Sequence, residues 1–190
     1  MLDTREGAKF EAAHLKGSVN VGLGGSYATW CGTILDPQKP IVLITEPGRE
    51  VEAATRLGRI AFDTVAGYLV GGMESLSDAP DLIDRIERIT AGSLAEQLTS
   101  SAPPLLVDVR APGEWEQERI DAAVNVPLSR LSERLESLPR DRRIVVHCAS
   151  GYRSAIAAGL LQRAGFANVN DLVGGVGAWA SARQAGPGDP

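Results

Sequence analysis

The residues best suited to chemistry lie in one short loop, Cys-Ala-Ser-Gly-Tyr-Arg at positions 148–153. The β-branched stretch 143–147 predicts a strand before the loop, and the stretch from Ser154 to a stop at Gly165 predicts a helix after it. In open parallel α/β sheets, ligands bind where such a strand ends, and Gly151 lets successive backbone N–H groups converge on one point. The loop therefore predicts an anion-binding cradle that begins with a cysteine.

Cys148 is the candidate nucleophile in this cradle. The first N–H groups of the following helix lack intrahelical partners, the helix dipole adds about half a positive charge, and Arg153 adds a cation. Such surroundings favour the thiolate over the thiol. A lone cysteine after a strand is more often a small buried hydrophobe. Strand, loop glycine, loop arginine and helix occur here in the order that catalysis needs, which favours the functional interpretation.

The elements that position this loop occur twice along the chain. The matching segments are 2–5 with 107–110 and 19–21 with 124–126, at an offset of 105, and 41–44 with 144–147 and 69–72 with 172–175, at an offset of 103. Each copy alternates short β-branched strands with helical stretches, which is typical of a parallel sheet covered by helices on both faces. The sequence therefore predicts an α/β protein made of two similar domains.

The predicted domains are residues 1–76 and 88–185, with a linker at 77–87 and a frayed tail at 186–190. Residues 81–89 have the pattern of an amphipathic connecting helix, and Thr90 is expected to cap the first helix of the second copy. The first copy has no counterpart of that helix and begins inside its first central strand. We therefore expect that an N-terminal segment normally precedes it.

These features together resemble the rhodanese sulfurtransferases over nearly the whole chain. The resemblance is carried by Asp108-Val109-Arg110 with Glu114-Trp115, by Asn125-Val126-Pro127, by the loop from Cys148 to Ser154 and by Gly174-Gly175-Val176-Gly177-Ala178-Trp179. One departure is the segment 118–123, which reads Glu-Arg-Ile-Asp-Ala-Ala where the family often has Gly-His-Ile-Pro-Gly-Ala. The resemblance implies two rhodanese-like domains.

The resemblance also implies an activity and assigns roles in it. Cys148 would accept a sulfane sulfur from thiosulfate or a low-molecular-weight persulfide and pass it, as a persulfide, to cyanide or a thiol. Arg153 would assist as the second catalytic residue, and no cofactor is implied. The residues expected to bind the substrate are Ala149, Ser150, Gly151, Tyr152 and Ser154.

The first copy is expected to be inactive. Its loop reads Thr-Glu-Pro-Gly-Arg-Glu at positions 45–50, so it lacks a cysteine, loses one N–H to proline and carries two carboxylates that repel an anionic donor. Cys31 lies elsewhere and is interpreted as a packed thiol. With the Tyr-Ala-Thr-Trp segment at 27–30, the inactive loop resembles fusions in which a metallo-β-lactamase-type persulfide dioxygenase precedes an inactive and then an active rhodanese domain. A persulfide dioxygenase domain, in cis or in trans, is therefore a candidate partner.

Two pairs of residues near the loop are interpreted as structural. Asp108 and Arg110 stand two apart at a strand end, where we expect them to pair with neighbours such as Glu114 and hold the loops. Trp115 and Trp179 are expected to pack in the core or at its rim. For both pairs a structural role is favoured over a chemical one.

Composition excludes several other classes of function. The net charge of −5, with arginines spread among acids, argues against nucleic acid as a partner. No apolar run is long enough to span a membrane and the N-terminus has no signal-peptide pattern, so a cytoplasmic location is the default expectation. With only His14 and His147, the sequence predicts no catalytic metal site.

Two alternatives stay open at this point. Cysteine-dependent phosphatases and arsenate reductases also combine a cysteine, a backbone cradle and an arginine, but in a loop one residue longer than the interval from Cys148 to Arg153. A non-catalytic interaction module is the second alternative. It is strongest for the inactive first copy.

Overall fold

The chain folds into two units, and each unit is built around a parallel β-sheet. The computed structural model describes residues 1–184, and contacts divide it into one unit from Met1 to Arg85 and a second that begins at Ile86. Helices flank both sheets, so the predicted α/β class with two similar domains is confirmed. The end of the predicted second domain at 185 and the predicted tail at 186–190 lie outside the described residues.

The first unit contains six strands, three α-helices and two short 3-10 helices within its described residues. In chain order these are β1 (Leu2–Asp3), α1 (Gly7–Ala12), β2 (His14–Leu15), β3 (Val19–Asn20), α2 (Tyr27–Ile34), β4 (Ile41–Ile44), α3 (Glu50–Gly58), β5 (Val65–Tyr68), the 3-10 helices Gly72–Leu76 and Pro80–Leu82, and β6 (Ile83–Asp84).

The second unit follows the same plan with longer elements. In chain order these are β7 (Glu87–Ile89), α4 (Ala91–Leu98), β8 (Leu105–Asp108), α5 (Pro112–Gln117), β9 (Ala123–Asn125), the 3-10 helix Leu128–Arg130, α6 (Leu131–Arg134), the 3-10 helix Leu135–Ser137, β10 (Ile144–His147), α7 (Tyr152–Arg163), β11 (Val169–Leu172) and α8 (Gly175–Gln184). Thr90 caps α4 as predicted, because its side chain accepts the Ser93 N–H.

Strand order and register confirm the duplication. The first sheet runs β3-β1-β4-β5 and the second β7-β11-β10-β8-β9, so matching strands are neighbours in both. The pair Asp3 and Asn20 is repeated as Asp108 and Asn125, at the same offset of 105. Among the described residues of the first unit, no strand takes the place that β7 holds in the second. The first sheet therefore ends at β5.

The predicted connecting helix at 81–89 is wrong. This stretch instead forms the end of a 3-10 helix, then β6, which pairs antiparallel with β2, and then β7 in the second sheet. The apolar residues Ile83, Ile86 and Ile89 recur every three positions, which imitates one face of a helix. Backbone hydrogen bonds to distant segments decide otherwise: the Leu82 carbonyl accepts from Lys16 and the Ile89 carbonyl from Val173. The boundary between units falls after Arg85, within the predicted linker at 77–87.

The core of the second unit surrounds the strand that leads to the cysteine loop. Its members are buried aliphatic residues from strands and helices, namely Ile89, Leu94, Leu106, Ile120, Ala123, Val145, Leu172 and Val176. Trp115 and Trp179 pack against this cluster, as predicted. Helix α7 buries a run of small residues beside β10 and β11, which lets it lie close to the sheet with its first turn at the cysteine loop. No helix of residues 1–184 is both long and apolar enough to cross a bilayer.

Candidate active site

The segment 148–153 leads from the carboxyl end of β10 into the first turn of α7, which begins at Tyr152, two residues before the predicted start at Ser154. Gly151 precedes the first residue of the helix and has a φ of +119°, a value that side-chain-bearing residues rarely adopt. This conformation turns the chain sharply enough to bring its own N–H back towards the start of the loop. A glycine is therefore required by the backbone at this position.

The sulfur of Cys148 lies inside the loop and only 1% of the residue is exposed. Its Sγ accepts a hydrogen bond from the Gly151 N–H at 3.1 Å and contacts Ser154 Oγ at 3.6 Å. The Ser154 hydroxyl in turn donates to the Gly151 carbonyl at 3.1 Å. Of the predicted binding residues, Gly151 and Ser154 thus contact the sulfur, while the Ser150 residue is exposed at the rim of the loop. Ala149 and Tyr152 are half-buried.

The first turn of α8 holds the backbone of the loop through two hydrogen bonds. The Val176 N–H donates to the Cys148 carbonyl at 2.9 Å, and the Gly177 N–H donates to the Ala149 carbonyl at 3.4 Å. A Cβ on Gly175 would overlap the Cys148 carbonyl oxygen, so this position has room only for glycine. Gly175 belongs to the motif 174–179, and its close approach to the Cys148 carbonyl could not be predicted from that motif.

Arg153 is held by an ion pair with Glu114. Its Nη1 and Nη2 donate to the two carboxylate oxygens of Glu114 at 2.6 and 2.7 Å, which is the paired geometry of a strong guanidinium–carboxylate contact. The hydrogen bond to Arg153 lowers the pKa of Glu114 to about 2. The pKa of Arg153 is raised, first by its hydrogen bond to Glu114 and less by the adjacent Cys148. Arg153 is therefore a fixed cation next to the sulfur.

Asp108 and Arg110 hold the strand end, but their predicted pairing with Glu114 is wrong. They pair with each other at 2.6 Å, both buried, and the Arg110 guanidinium also donates to the Glu118 carbonyl. Asn125 Nδ2 donates to the carbonyls of Asp108 and Arg110 at 3.0 Å each. Glu114 instead forms an ion pair with Arg153. The structural interpretation of Asp108 and Arg110 is supported by these contacts.

His147, the last residue of β10, is a buried group that the sequence analysis did not connect with the site. Its Nδ1 lies 3.5 Å from the Cys148 carbonyl, and its Nε2 lies 3.8 Å from an Asp108 carboxylate oxygen. Burial lowers the pKa of His147, and the nearby Asp108 offsets only part of this effect. A neutral imidazole therefore lies buried between the Asp108 carboxylate and the Cys148 carbonyl.

The remaining candidate residues form no second catalytic centre within residues 1–184. Cys31 is fully buried on α2, and burial raises the pKa of its thiol to about 12, which agrees with its interpretation as a packed side chain. In the described part of the chain, no three histidine, cysteine, aspartate or glutamate side chains are grouped so that they could hold a metal ion. Cys148, by contrast, has a sulfur that accepts a backbone N–H, that of Gly151.

Comparison with known proteins identifies the family. A sequence model of the rhodanese-like domain matches residues 1–79 and 90–182. A sulfurtransferase of Allochromatium vinosum is 37% identical over 95 residues, which are 50% of this chain and 89% of that protein. The probable adenylyltransferase/sulfurtransferase MoeZ of Mycobacterium tuberculosis is 41% identical over 98 residues, which are 50% of this chain and 25% of that protein.

Two solved structures are similar to part or nearly all of the chain. A rhodanese-related protein from Thermoplasma volcanium is 34% identical with a TM-score of 0.47 and covers 50% of this chain and 92% of its own. A thiosulfate sulfurtransferase from Pseudomonas aeruginosa is 24% identical with a TM-score of 0.48 and covers 96% of this chain and 39% of its own. The assignment rests on the family match, which extends over both units. The chain belongs to the rhodanese family, with a rhodanese-like domain in each unit.

Proposed function

We propose that the protein is a sulfurtransferase that carries a sulfane sulfur on Cys148. The observation that carries the proposal is the position of Sγ inside its loop, 3.1 Å from the Gly151 N–H and next to the fixed cation Arg153. Backbone N–H groups and a guanidinium stabilise a sulfur anion without needing to reorganise during the reaction. The names of the sulfurtransferase relatives agree with this activity.

The proposed reaction has two steps, in which Cys148 first takes up a sulfur atom and then gives it to an acceptor. The Cys148 thiolate attacks the outer sulfur of thiosulfate, so that a sulfur–sulfur bond forms while the bond to the sulfonate breaks, and sulfite leaves with the electron pair. Cyanide or a thiolate then attacks the terminal sulfur of the persulfide and releases the Cys148 thiolate. A low-molecular-weight persulfide can replace thiosulfate as the donor, with its thiolate as the leaving group.

The loop contacts suit a single terminal sulfur better than a tetrahedral oxyanion. Arg153 gives two of its N–H donors to Glu114, so fewer remain for the oxygens of a phosphate or arsenate. Ser154 Oγ, 3.6 Å from Sγ, can turn its proton from the Gly151 carbonyl to a sulfur anion. We therefore favour sulfur transfer over phosphatase or arsenate reductase activity.

Mass spectrometry of the intact protein tests the proposal. Incubation with thiosulfate or glutathione persulfide should add one sulfur atom to the wild-type chain, and Cys148→Ser should prevent the addition. Cys31→Ser is the matched control and should load like the wild type. An unmodified wild-type mass would instead favour a non-catalytic module, and hydrolysis of an aryl phosphate faster than thiosulfate:cyanide transfer would favour the phosphatase.

We further propose that the chain works together with a persulfide dioxygenase domain, in cis or in trans, in a reducing cytoplasmic compartment. The support is the resemblance of the segment 27–30 and of the inactive first loop to such fusions. The proposed ligands are small sulfur-containing anions and thiols, and nucleic acid is not among the expected partners. Co-elution of the chain with a purified persulfide dioxygenase in gel filtration supports the partnership, and separate elution with an unchanged rate of sulfite formation counts against it.

A further inference from the structure

The inactive loop of the first unit keeps the backbone shape of the active one. The offset of 103 pairs Thr45 with Cys148 and Gly48 with Gly151. Gly48 has a φ of +84°, so both loops use a left-handed glycine just before a helix. A Cβ on Gly72 would lie 3.0 Å from the Thr45 carbonyl, which repeats the close approach of Gly175 to Cys148. The cradle is therefore preserved although the cysteine is not.

A carboxylate of the protein itself occupies this cradle. Glu50 Oε1 accepts a hydrogen bond from the Gly48 N–H at 3.1 Å. The corresponding N–H of Gly151 donates to the Cys148 sulfur over the same distance. Glu50 stands at the position that Arg153 holds in the second unit, so an anion replaces the cation. The negative group that the loop binds is thus supplied from within the chain.

Thr45 provides independent support for a binding site at this loop. It is 2% exposed, and within the described residues its Oγ1 makes no hydrogen bond of ordinary length. A buried hydroxyl without a full hydrogen bond has the capacity to donate to an oxyanion. The pKa of Glu50 is lowered, first by its own backbone N–H and further by the Gly48 N–H and the Thr45 hydroxyl. The buried Thr45 hydroxyl is therefore near enough to Glu50 to favour its ionised carboxylate.

The surroundings of the loop leave room for a small anion. A cavity of about 100 Å³ lies beside it and is lined by charged residues of both signs, namely Arg5, Lys9 and Arg49 with Glu6 and Glu46. Each of these cations has an acidic partner: Arg5 pairs with Asp3, Lys9 with Glu46 and Arg49 with Glu52. At ~30 Å³ per water molecule, the cavity is large enough for a few waters or one small oxyanion.

We propose that the loop 45–50 is a second oxyanion-binding cradle, closed by Glu50, whose carboxylate competes with a small sulfur oxyanion for the Gly48 N–H. This site is separate from the sulfur transfer at Cys148, because its loop contains no cysteine. Closure by an internal anion keeps sulfur oxyanions away from a loop that cannot react with them. Of the two loops, the one at Cys148 then stays available to the sulfur donor.

Amide NMR of the full chain tests this inference, with the Cys148→Ser substitution present so that no sulfur is transferred. Thiosulfate is titrated while the Gly48 N–H resonance is followed. The parent chain should show no saturable shift at Gly48. Glu50→Ala should show one, with a dissociation constant at least tenfold below the highest thiosulfate concentration at which the parent chain stays unsaturated, which corresponds to about 1.4 kcal/mol.

Glu46→Ala is the matched control, because it removes the same charge from the same loop and leaves the Glu50 contact with Gly48 in place. It should behave like the parent chain. Equal gains in Glu46→Ala and Glu50→Ala, saturable binding at Gly48 in the parent chain, or no gain in Glu50→Ala would each overturn the inference. If Glu50→Ala loses its dispersed amide spectrum, Glu50→Gln replaces it, because it keeps the side-chain volume. The expected result is again a saturable shift at Gly48, and its absence again overturns the inference.

Discussion

Glu114 and Arg153 are joined by two hydrogen bonds, of 2.6 and 2.7 Å, between α5 and the first turn of α7. The pair fixes a guanidinium next to the Cys148 sulfur. Because the hydrogen bond lowers the pKa of Glu114 to about 2, the carboxylate stays ionised well into acidic solution. An acid 39 residues away along the chain thus sets the position of the loop cation.

Replacing Glu114 should slow sulfur transfer without unfolding the protein. In Glu114→Gln one of the two hydrogen bonds is lost, because the amide NH2 cannot accept it, the other loses its charge assistance, and the guanidinium is no longer fixed beside the sulfur. We expect kcat/KM for thiosulfate to fall about tenfold, which corresponds to about 1.4 kcal/mol of transition-state stabilisation. Glu116→Gln is the control, since this exposed residue lies on the same helix. Equal rates in Glu114→Gln and the wild type would show that Glu114 does not position Arg153 for catalysis.

The buried ion pair of Asp108 and Arg110 should contribute to the free energy of unfolding far more than to the rate of sulfur transfer. Asp108→Asn leaves the buried Arg110 guanidinium without its counter-charge, at a cost of about 3 to 5 kcal/mol. Asp3→Asn makes the same change beside Arg5 in the first unit. Urea should therefore abolish persulfide loading at a lower concentration in Asp108→Asn than in the wild type or in Asp3→Asn. A similar midpoint for all three proteins would contradict the structural role.

Acid should destabilise the second unit through His147. Burial lowers the pKa of His147 in the folded state, so below about pH 6.5 the unfolded chain binds a proton that the folded chain does not. Stability therefore falls as the pH drops from 6.5 towards the folded pKa, by at most about 1.4 kcal/mol per pH unit. His147→Ile, which copies Ile44 of the first unit, should reduce this loss in urea unfolding measured between pH 7.5 and pH 5. An unchanged pH dependence would assign the acid sensitivity to other groups.

Adding a methyl group at Gly175 should disable the active loop. The new Cβ would overlap the Cys148 carbonyl oxygen and lie 2.9 Å from the Ala149 carbonyl, at a φ of +57° that alanine avoids. Gly175→Ala should therefore lose persulfide loading and more than about 1 kcal/mol of stability. Gly72→Ala, the equivalent change in the first unit, should load sulfur normally. Full loading in Gly175→Ala would show that the loop tolerates displacement of its support.

The sequence was sufficient to predict features that depend on local pattern. The loop between β10 and α7 is defined by neighbouring residues, so its place and the turn at Gly151 that brings an N–H to Cys148 follow from a few consecutive positions. The duplication was also predictable, because Asp3 with Asn20 and Asp108 with Asn125 keep the same spacing in both copies. Strand pairing in parallel sheets preserves such spacing.

Only the tertiary structure decided which distant groups meet. Glu114 stands within reach of Arg110 in sequence, yet it pairs with Arg153, because the α5 and α7 elements come together across the loop. The threefold spacing of isoleucines at 83–89 is compatible with a helix, and hydrogen bonds to two separate sheets make it extended instead. The hydrogen bond from the Gly48 N–H to Glu50 could not be predicted either, since a charged side chain in a loop can face solvent or fold back onto the backbone. Local sequence limits what each segment can form, while partner choice is settled by burial and hydrogen bonding between segments that only the fold brings together.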